Sequence, residues 1–343
     1  MEIEQCLEQL CVIGAPSGFE RPAVLAAREL LEPLVDEVWI DRLGNLVGLR
    51  RCGKPGAKKL LLDAHLDEVG LTVTGVKDGF LCFQGVGVDN RMLPNREVTV
   101  LTDPPMMGVV ACLPPHVLTA EDREKAPKAE ELFIDVGLSR EEAERRVPLG
   151  TPVVYRSGFL RLGERQLCGK AMDDRACFVS LLRAAELLKD TDLDVDLYVL
   201  GSTREEVGGM GAKVVAQALE PDFCVAVDVT HGRTPDGPKN ETFALGGGPA
   251  VGIGPNMTRW MTRLLLDLAQ REGIPVQKEV MEGSSGTNGW EMQICNEGIP
   301  TAVLSIPVKY MHTPVEALER SDIEDTARLL AAFAAGLGKE GAQ

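Results

Sequence analysis

The sequence predicts an α/β fold: a doubly wound mixed sheet with helices on both faces, interrupted by a small inserted β-barrel-like domain. Three observations carry this. Helical and strand patterns alternate up to residue 71 and again from 163 onward, as in open α/β sheets. Between 72 and 162 the texture changes to short β-type segments separated by Pro, Gly and charged turns. Strand candidates such as KKLLLDAH and DFCVAVDV are apolar in near-continuous runs, the pattern of strands covered on both sides. The expected organisation is one α/β domain from 1–71 and 163–343, with 72–162 inserted.

Taken in order, IEQCLEQLCVI has helical spacing, and a second helix, PAVLAARELLEPL, starts near Ser17 or Pro22. VDEVWIDRLGNLVGLRR alternates with period two around Gly44-Asn45, a hairpin, and KKLLLDAHLDEVGL reads as a buried strand. FLCFQGV, EVTVLT, MGVVACL, ELFIDVG and TPVVYRSGFLRL are the β segments of the insertion, and TAEDREKAPKAEEL is a charged loop. Then come the helix DDRACFVSLLRAAELLKD, the strand DVDLYVLGST, the helix MGAKVVAQALE and the strand DFCVAVDV. NMTRWMTRLLLDLAQREG is a helix, PTAVLSIPVKY a late strand, and SDIEDTARLLAAFAAGLG a capped amphipathic helix closing at glycine.

Composition narrows the function. The 343 residues carry 36 basic and 52 acidic side chains, a net charge of -16, which argues against nucleic acid or an anionic membrane as partner. No apolar run reaches the roughly 20 residues of a membrane span. The amino terminus is acidic and lacks the features of a secretion signal, so a cytoplasmic protein is expected. The nine cysteines stand singly with no CxxC, and read as buried small hydrophobes of a reducing compartment.

Of four histidines, His65 sits at the carboxyl end of a predicted strand with Asp67 two residues on, and His312 just past the LSIPVKY strand. Asp173 opens a helix, Glu205 and Glu206 follow the LYVLGST strand, and Asp228 ends VAVDV. The carboxyl ends of strands are where open α/β sheets place ligands. Two imidazoles with several carboxylates have the composition of a two-metal hydrolytic site. Such a site also needs a carboxylate that shuttles the proton without being a ligand, and the adjacent Glu205 and Glu206 suit that division. Singly, each residue has an ordinary reading. His65 or His312 is then a satisfied polar side chain, Asp173-Asp174 a helix N-cap pair, and Glu205-Glu206 a solvated loop. Asp228 is harder to dismiss, because it closes an apolar strand. His116 and His231 lie in Pro- or Gly-containing loops.

The ordered series AHLDEVG, GKAMDDR, EEVGGMGA, VAVDV and YMHTPVE resembles the tetrahedral (TET) aminopeptidase family, cytoplasmic two-metal exopeptidases sometimes described as endoglucanases. APSGFE, DRLGNLVG and LGGGPAVG extend the likeness over nearly the whole chain. The resemblance implies removal of amino-terminal residues from short peptides by a metal-bridged hydroxide. It implies two divalent ions, zinc or cobalt with manganese also compatible. His65, Asp173 and Asp228 would hold one ion and Asp173, Glu206 and His312 the other, Asp173 bridging. Glu205 would be the general base and acid, and Asp67 the carboxylate that orients His65. A cis peptide between Asp173 and Asp174 is implied too, as are a dimerisation role for the insertion and a homo-oligomer, a dimer or a hollow dodecamer.

One segment departs from the family. SGTNGWEMQ places Asn288 where an aspartate is usual and adds Trp290, making both substrate-pocket candidates, although Gly286 to Gly289 also suits a plain tight turn. Two other readings stand beside peptide hydrolysis: a two-metal deacylase of N-acyl amino acids or peptides, and a catalytically silent assembly subunit. A glycosidase would leave the histidines without a task, and 4% aromatic content offers little for stacking sugars.

Overall fold

A computed structural model describes residues 1–121 and 124–337. Residues 122 and 123 of the expected charged loop, and Gly338, the glycine closing the expected tail helix, lie outside the described residues. The chain begins with α1 (Ile3–Cys11), α2 (Arg21–Leu31), a hairpin of β1 (Glu37–Ile40) and β2 (Leu46–Arg50), and β3 (Lys58–His65). It then enters β4 (Gly70–Lys77), β5 (Phe80–Val86), β6 (Glu97–Val100), β7 (Met106–Ala111), β8 (Phe133–Asp135), α3 (Arg140–Arg146) and β9 (Pro152–Tyr155). It returns through β10 (Leu160–Leu162), β11 (Gln166–Gly169), α4 (Met172–Leu188), β12 (Val195–Ser202), α5 (Met210–Leu219) and β13 (Phe223–His231). The last elements are β14 (Ala250–Ile253), α6 (Arg259–Glu272), β15 (Gln277–Val280), α7 (Asn288–Met292), β16 (Thr301–Val308), β17 (Glu316–Glu319) and α8 (Arg320–Gly336).

As expected, the fold is a mixed sheet with helices on both faces and a closed barrel between its parts. The sheet runs β1-β2-β12-β3-β13-β16-β14-β15, and the barrel closes in the order β4-β5-β8-β7-β6-β9. β12, β3, β13 and β16 are mutually parallel, the arrangement that demands helical crossovers and buried strands. Side-chain alternation sorts the two faces. Leu60 and Leu62 join a core with α1, α2, α4, α6 and α8, while Leu61 points into a second core with α5 and α7. The barrel has its own interior, in which Leu81, Val98, Val110, Ile134 and Val153 are fully buried.

Register aligns the strand ends. Ser202 of β12 stands beside His65 of β3, and Ala226 of β13 beside Asp63 of β3, so Asp228 reaches the level of His65. Three polar side chains are thereby brought to one edge of the molecule.

Some elements differ from expectation. KKLLLDAHLDEVGL is not one strand: β3 stops at His65, where Leu66 N turns to Ser202 O, and β4 starts the barrel at Gly70. TPVVYRSGFLRL also splits, with β9 in the barrel and β10 pairing with β11 outside it. α3, β11, β14, β15 and β17 had no expectation, and α7 begins within the Gly286–Gly289 stretch that also suited a tight turn. α3 carries a Ser139–Glu142 capping box but buries only Ala143, too little apolar surface to show as helical periodicity. All nine cysteines are free; six are buried as expected, but Cys52, Cys82 and Cys112 are only half-buried. No helix among the described residues is long and apolar enough to cross a membrane.

Candidate active site

Five segments deliver the polar cluster at the carboxyl ends of the parallel strands: the end of β3, the start of α4, the turn after β12, β13, and the turn between β16 and β17. The Asp173 carboxylate lies between two imidazoles. Its Oδ1 is 3.1 Å from His65 Nε2 and its Oδ2 is 3.2 Å from His312 Nε2. Glu206 Oε1 is 3.4 Å from His312 Nε2, and Glu205 Oε2 is 3.9 Å from His65 Nε2. Donor atoms converge in two groups, His65 with Asp173 and Glu206, and His65 with Asp174 and Asp228, within 4.8 Å of one another in each. The Asp173–Asp174 peptide is cis.

Buried carboxylates hold these segments in place. Asp67 accepts the amides of Glu205 and Glu206 and the hydroxyl of Ser17, and its Oδ1 is 3.5 Å from His65 Nδ1. Glu316 accepts His312 N at 2.7 Å through Oε1 and Asp173 N at 3.1 Å through Oε2, joining two segments of the cluster. Asn45 accepts Thr203 N and donates to Gly211 O, bracing the turn that bears the two glutamates. Ala171, Arg204 and His312 have φ of 55°, 58° and 63°. Left-handed backbone at non-glycine residues is costly and persists where surroundings over-determine it, commonly at functional sites.

The electrostatics follow from crowding acids in a buried place. Burial raises Glu205 to about 7; His65 opposes the rise and Asp173 adds to it. Burial, with Asp173 next, raises Glu206 to about 9. Asp174 and Asp228 are likewise held well above the usual carboxylate range, burial being the main cause in both. Asp173 goes the other way: burial opposes it, but hydrogen bonds from His312 and His65 keep it ionised. His65 is raised, because Asp173 and Asp67 outweigh its desolvation. The donor set fits divalent cations. It combines imidazole with carboxylate and no thiolate, and Asp174 Oδ1 and Glu206 Oε1 are buried without a hydrogen-bond partner.

The structure brings together His65, Asp67, Asp173, Glu205, Glu206, Asp228 and His312. Asn288 lies deeper, 2% exposed, donating to Asp63 Oδ2 at 2.8 Å and Ser202 Oγ at 2.9 Å. The segment around it is helical, with Thr287 capping α7, and Trp290 stands 39% exposed on that helix. Sequence reasoning passed over Asp174, Glu316 and Asn45 as members or supports of the cluster. For Glu316 the available signal was an acid four residues after His312, at the start of the short strand β17.

Comparison with known proteins adds the family. Residues 44–329 match the M42 glutamyl aminopeptidase model. A lysyl aminopeptidase of Pyrococcus furiosus is 35% identical over 332 residues, covering 94% of this chain and 94% of that protein. The crystal structure of a TET aminopeptidase from a marine-sediment Thaumarchaeota archaeon superposes with a TM-score of 0.92 at 30% identity, over 98% of this chain and 96% of that one. The TET1 peptidase of Pyrococcus horikoshii, which can assemble into a tetrahedron or a large octahedral shell, gives 0.86 at 29% identity, over 98% and 100%. With a family model spanning most of its length and relatives covered nearly end to end, the chain belongs to the M42 glutamyl aminopeptidase family, metal-dependent hydrolases of amino-terminal peptide bonds.

Proposed function

We propose that the chain removes amino-terminal residues from short peptides at a two-metal site, with Glu205 as general base and acid. The observation that carries this is the Asp173 carboxylate set between His65 and His312, one oxygen toward each. His65 and Asp228 would hold one divalent ion and Glu206 and His312 the other, with Asp173 facing both imidazoles; Asp174 lies within reach of the His65 and Asp228 donor atoms. Bound zinc or cobalt supplies Lewis acidity and lowers the pKa of water toward about 7.

The chain's own residues do the rest. Glu205, outside both donor groups, takes a proton from the attacking water and returns it to the departing amine. Its raised pKa suits both halves of that transfer near neutrality. Asp67 fixes His65 from behind, its backbone carbonyl 3.1 Å and its carboxylate 3.5 Å from Nδ1, and holds the Glu205 amide from the side.

We also propose that the inserted region 72–162 is the self-association module. Phe80, Met107, Val109 and Leu113 of the barrel region are exposed, and the P. horikoshii relative assembles into closed shells. Light scattering of the intact protein, against a variant with Met107 and Val109 made polar, reads the assembly.

The activity test is hydrolysis of aminoacyl-p-nitroanilides after loading with zinc or cobalt, with N-acetylated controls and Glu205→Gln. Turnover of free-amine substrates that the variant loses is expected. Release of acetate from the acetylated substrates, without p-nitroaniline from the free-amine ones, would make the enzyme a deacylase. No turnover with metals bound would favour a silent assembly subunit.

A further inference from the structure

The face of the sheet that carries the cluster also carries a carboxylate that hydrolysis does not use. Glu279 lies on the edge strand β15, in register with Gly252 of β14. Its Oε1 accepts a hydrogen bond from Thr230 Oγ1 at 2.6 Å. Its Oε2 is buried and has no hydrogen-bond partner, and among the described residues Glu279 makes no ion pair.

Thr230 places this group. It follows Asp228 by two residues on β13, so both side chains leave the same face, about 7 Å apart along the strand. In the sheet order, β15 lies on the opposite side of β13 from β12, whose following turn bears Glu205 and Glu206. The proton-transfer group and the unpartnered carboxylate therefore flank Asp228 from two sides.

A buried carboxylate oxygen without a donor is costly, and a cation with directional N–H groups is what relieves it. An acidic side chain placed there meets like charge, and an apolar one leaves the oxygen unpaired. We propose that Glu279, oriented by Thr230, binds the side chain of the substrate's first residue and selects a basic one, lysine or arginine. This rests on the aminopeptidase reading above and adds its specificity, which runs against the glutamyl preference in the family's description.

The test is kcat/KM of the metal-loaded protein on lysyl-, arginyl-, leucyl- and glutamyl-p-nitroanilide, with inhibition by free lysine and free leucine measured alongside. Lysyl and arginyl substrates are expected to be best and glutamyl worst. Glu279→Gln should lower the lysyl-to-leucyl ratio about 10- to 100-fold, the range of one charge-assisted hydrogen bond. Glu279→Asp, which keeps the charge, should retain more of that ratio, and Glu279→Lys should reverse the order of lysyl and glutamyl substrates. Free lysine should lose inhibitory strength in Glu279→Gln while free leucine changes less. Turnover with an unchanged lysyl-to-leucyl ratio in Glu279→Gln would overturn the proposal and leave the aminopeptidase standing. No turnover of any substrate would remove the aminopeptidase reading, and this proposal with it.

Discussion

Asp67 accepts the backbone amide of Glu205 at 3.0 Å, tying the proposed proton-transfer residue to the strand end that carries His65. The second oxygen of Asp67 accepts the Glu206 amide at 3.2 Å, so one carboxylate sets the entry of both glutamates. Asp67→Asn keeps the shape but turns one acceptor into a donor facing an N–H. Activity or metal affinity should fall about 10- to 100-fold, the usual cost of losing a carboxylate behind a metal-binding histidine. Steady-state kinetics with calorimetric zinc titration separates the two effects. Wild-type values in both would show that the Asp67 carboxylate positions nothing and that its backbone carbonyl, 3.1 Å from His65 Nδ1, suffices.

Glu205 and Glu206 are neighbours in the chain with different expected losses. Glu205→Gln cannot move a proton and should lower kcat about 10²- to 10⁴-fold while the metal content stays as in the unmodified protein. Glu206 belongs to one donor group, so Glu206→Gln should lose bound metal first and activity with it. Elemental analysis of both variants beside their kcat checks the division. Metal loss in Glu205→Gln would contradict it.

The cluster was legible in the sequence because its members fall at the ends of long apolar strands, where an acid or histidine has no ordinary reason to be. His65 ends β3, and Asp228 ends the apolar run VAVDV, although β13 itself continues to His231, which sequence alone put in a loop. The supports were less legible because their partners are remote in the chain. Glu316 reaches Asp173 across 143 positions, and Asn45 reaches Thr203 across 158. Short elements escaped for another reason. β14 and β15 have four residues each and α7 five, too few for a period to repeat. Asn288 stood out as a departure from the family, but only packing puts its amide between Asp63 and Ser202.

Metal binding should release protons. With burial raising Glu206 to about 9 and holding Asp228 well up, these groups carry protons at pH 7 that binding must expel. Affinity should therefore rise with pH, and the calorimetric enthalpy of zinc binding should depend on the buffer's ionisation enthalpy. Stability has the matching sign. A carboxyl raised in the folded state contributes stability below its unfolded pKa, 4.5 for Glu206, and that contribution is lost as pH rises toward about 9. The metal-free protein should thus lose Tm more steeply than the metal-loaded one across this window. Buffer-independent enthalpies with parallel Tm curves would contradict the assignment.

The hardest substitution to accommodate should be at Glu68, the neighbour of Asp67. Its carboxylate receives Lys170 Nζ at 2.8 Å through both oxygens, Arg175 Nη2 at 3.2 Å and Ala15 N at 2.9 Å. All three ionic side chains are buried, and Arg175 also donates to the carbonyls of Leu10, Ile13 and Leu66. Lys170 and Arg175 flank Asp173 in the chain, so this network anchors the α4 end of the cluster to α1 and β3. Glu68→Gln leaves two buried cations facing a neutral amide, which for a broken buried pair costs about 3–5 kcal/mol. Lys170→Met should cost less. Burial already pulls that amine below the usual lysine range, although Glu68 opposes the shift, and Arg175 still pairs with Glu68. Urea unfolding of the metal-free variants reads both costs without interference from metal binding. Equal losses, or a larger one for Lys170→Met, would mean that Arg175 is satisfied by the carbonyls alone.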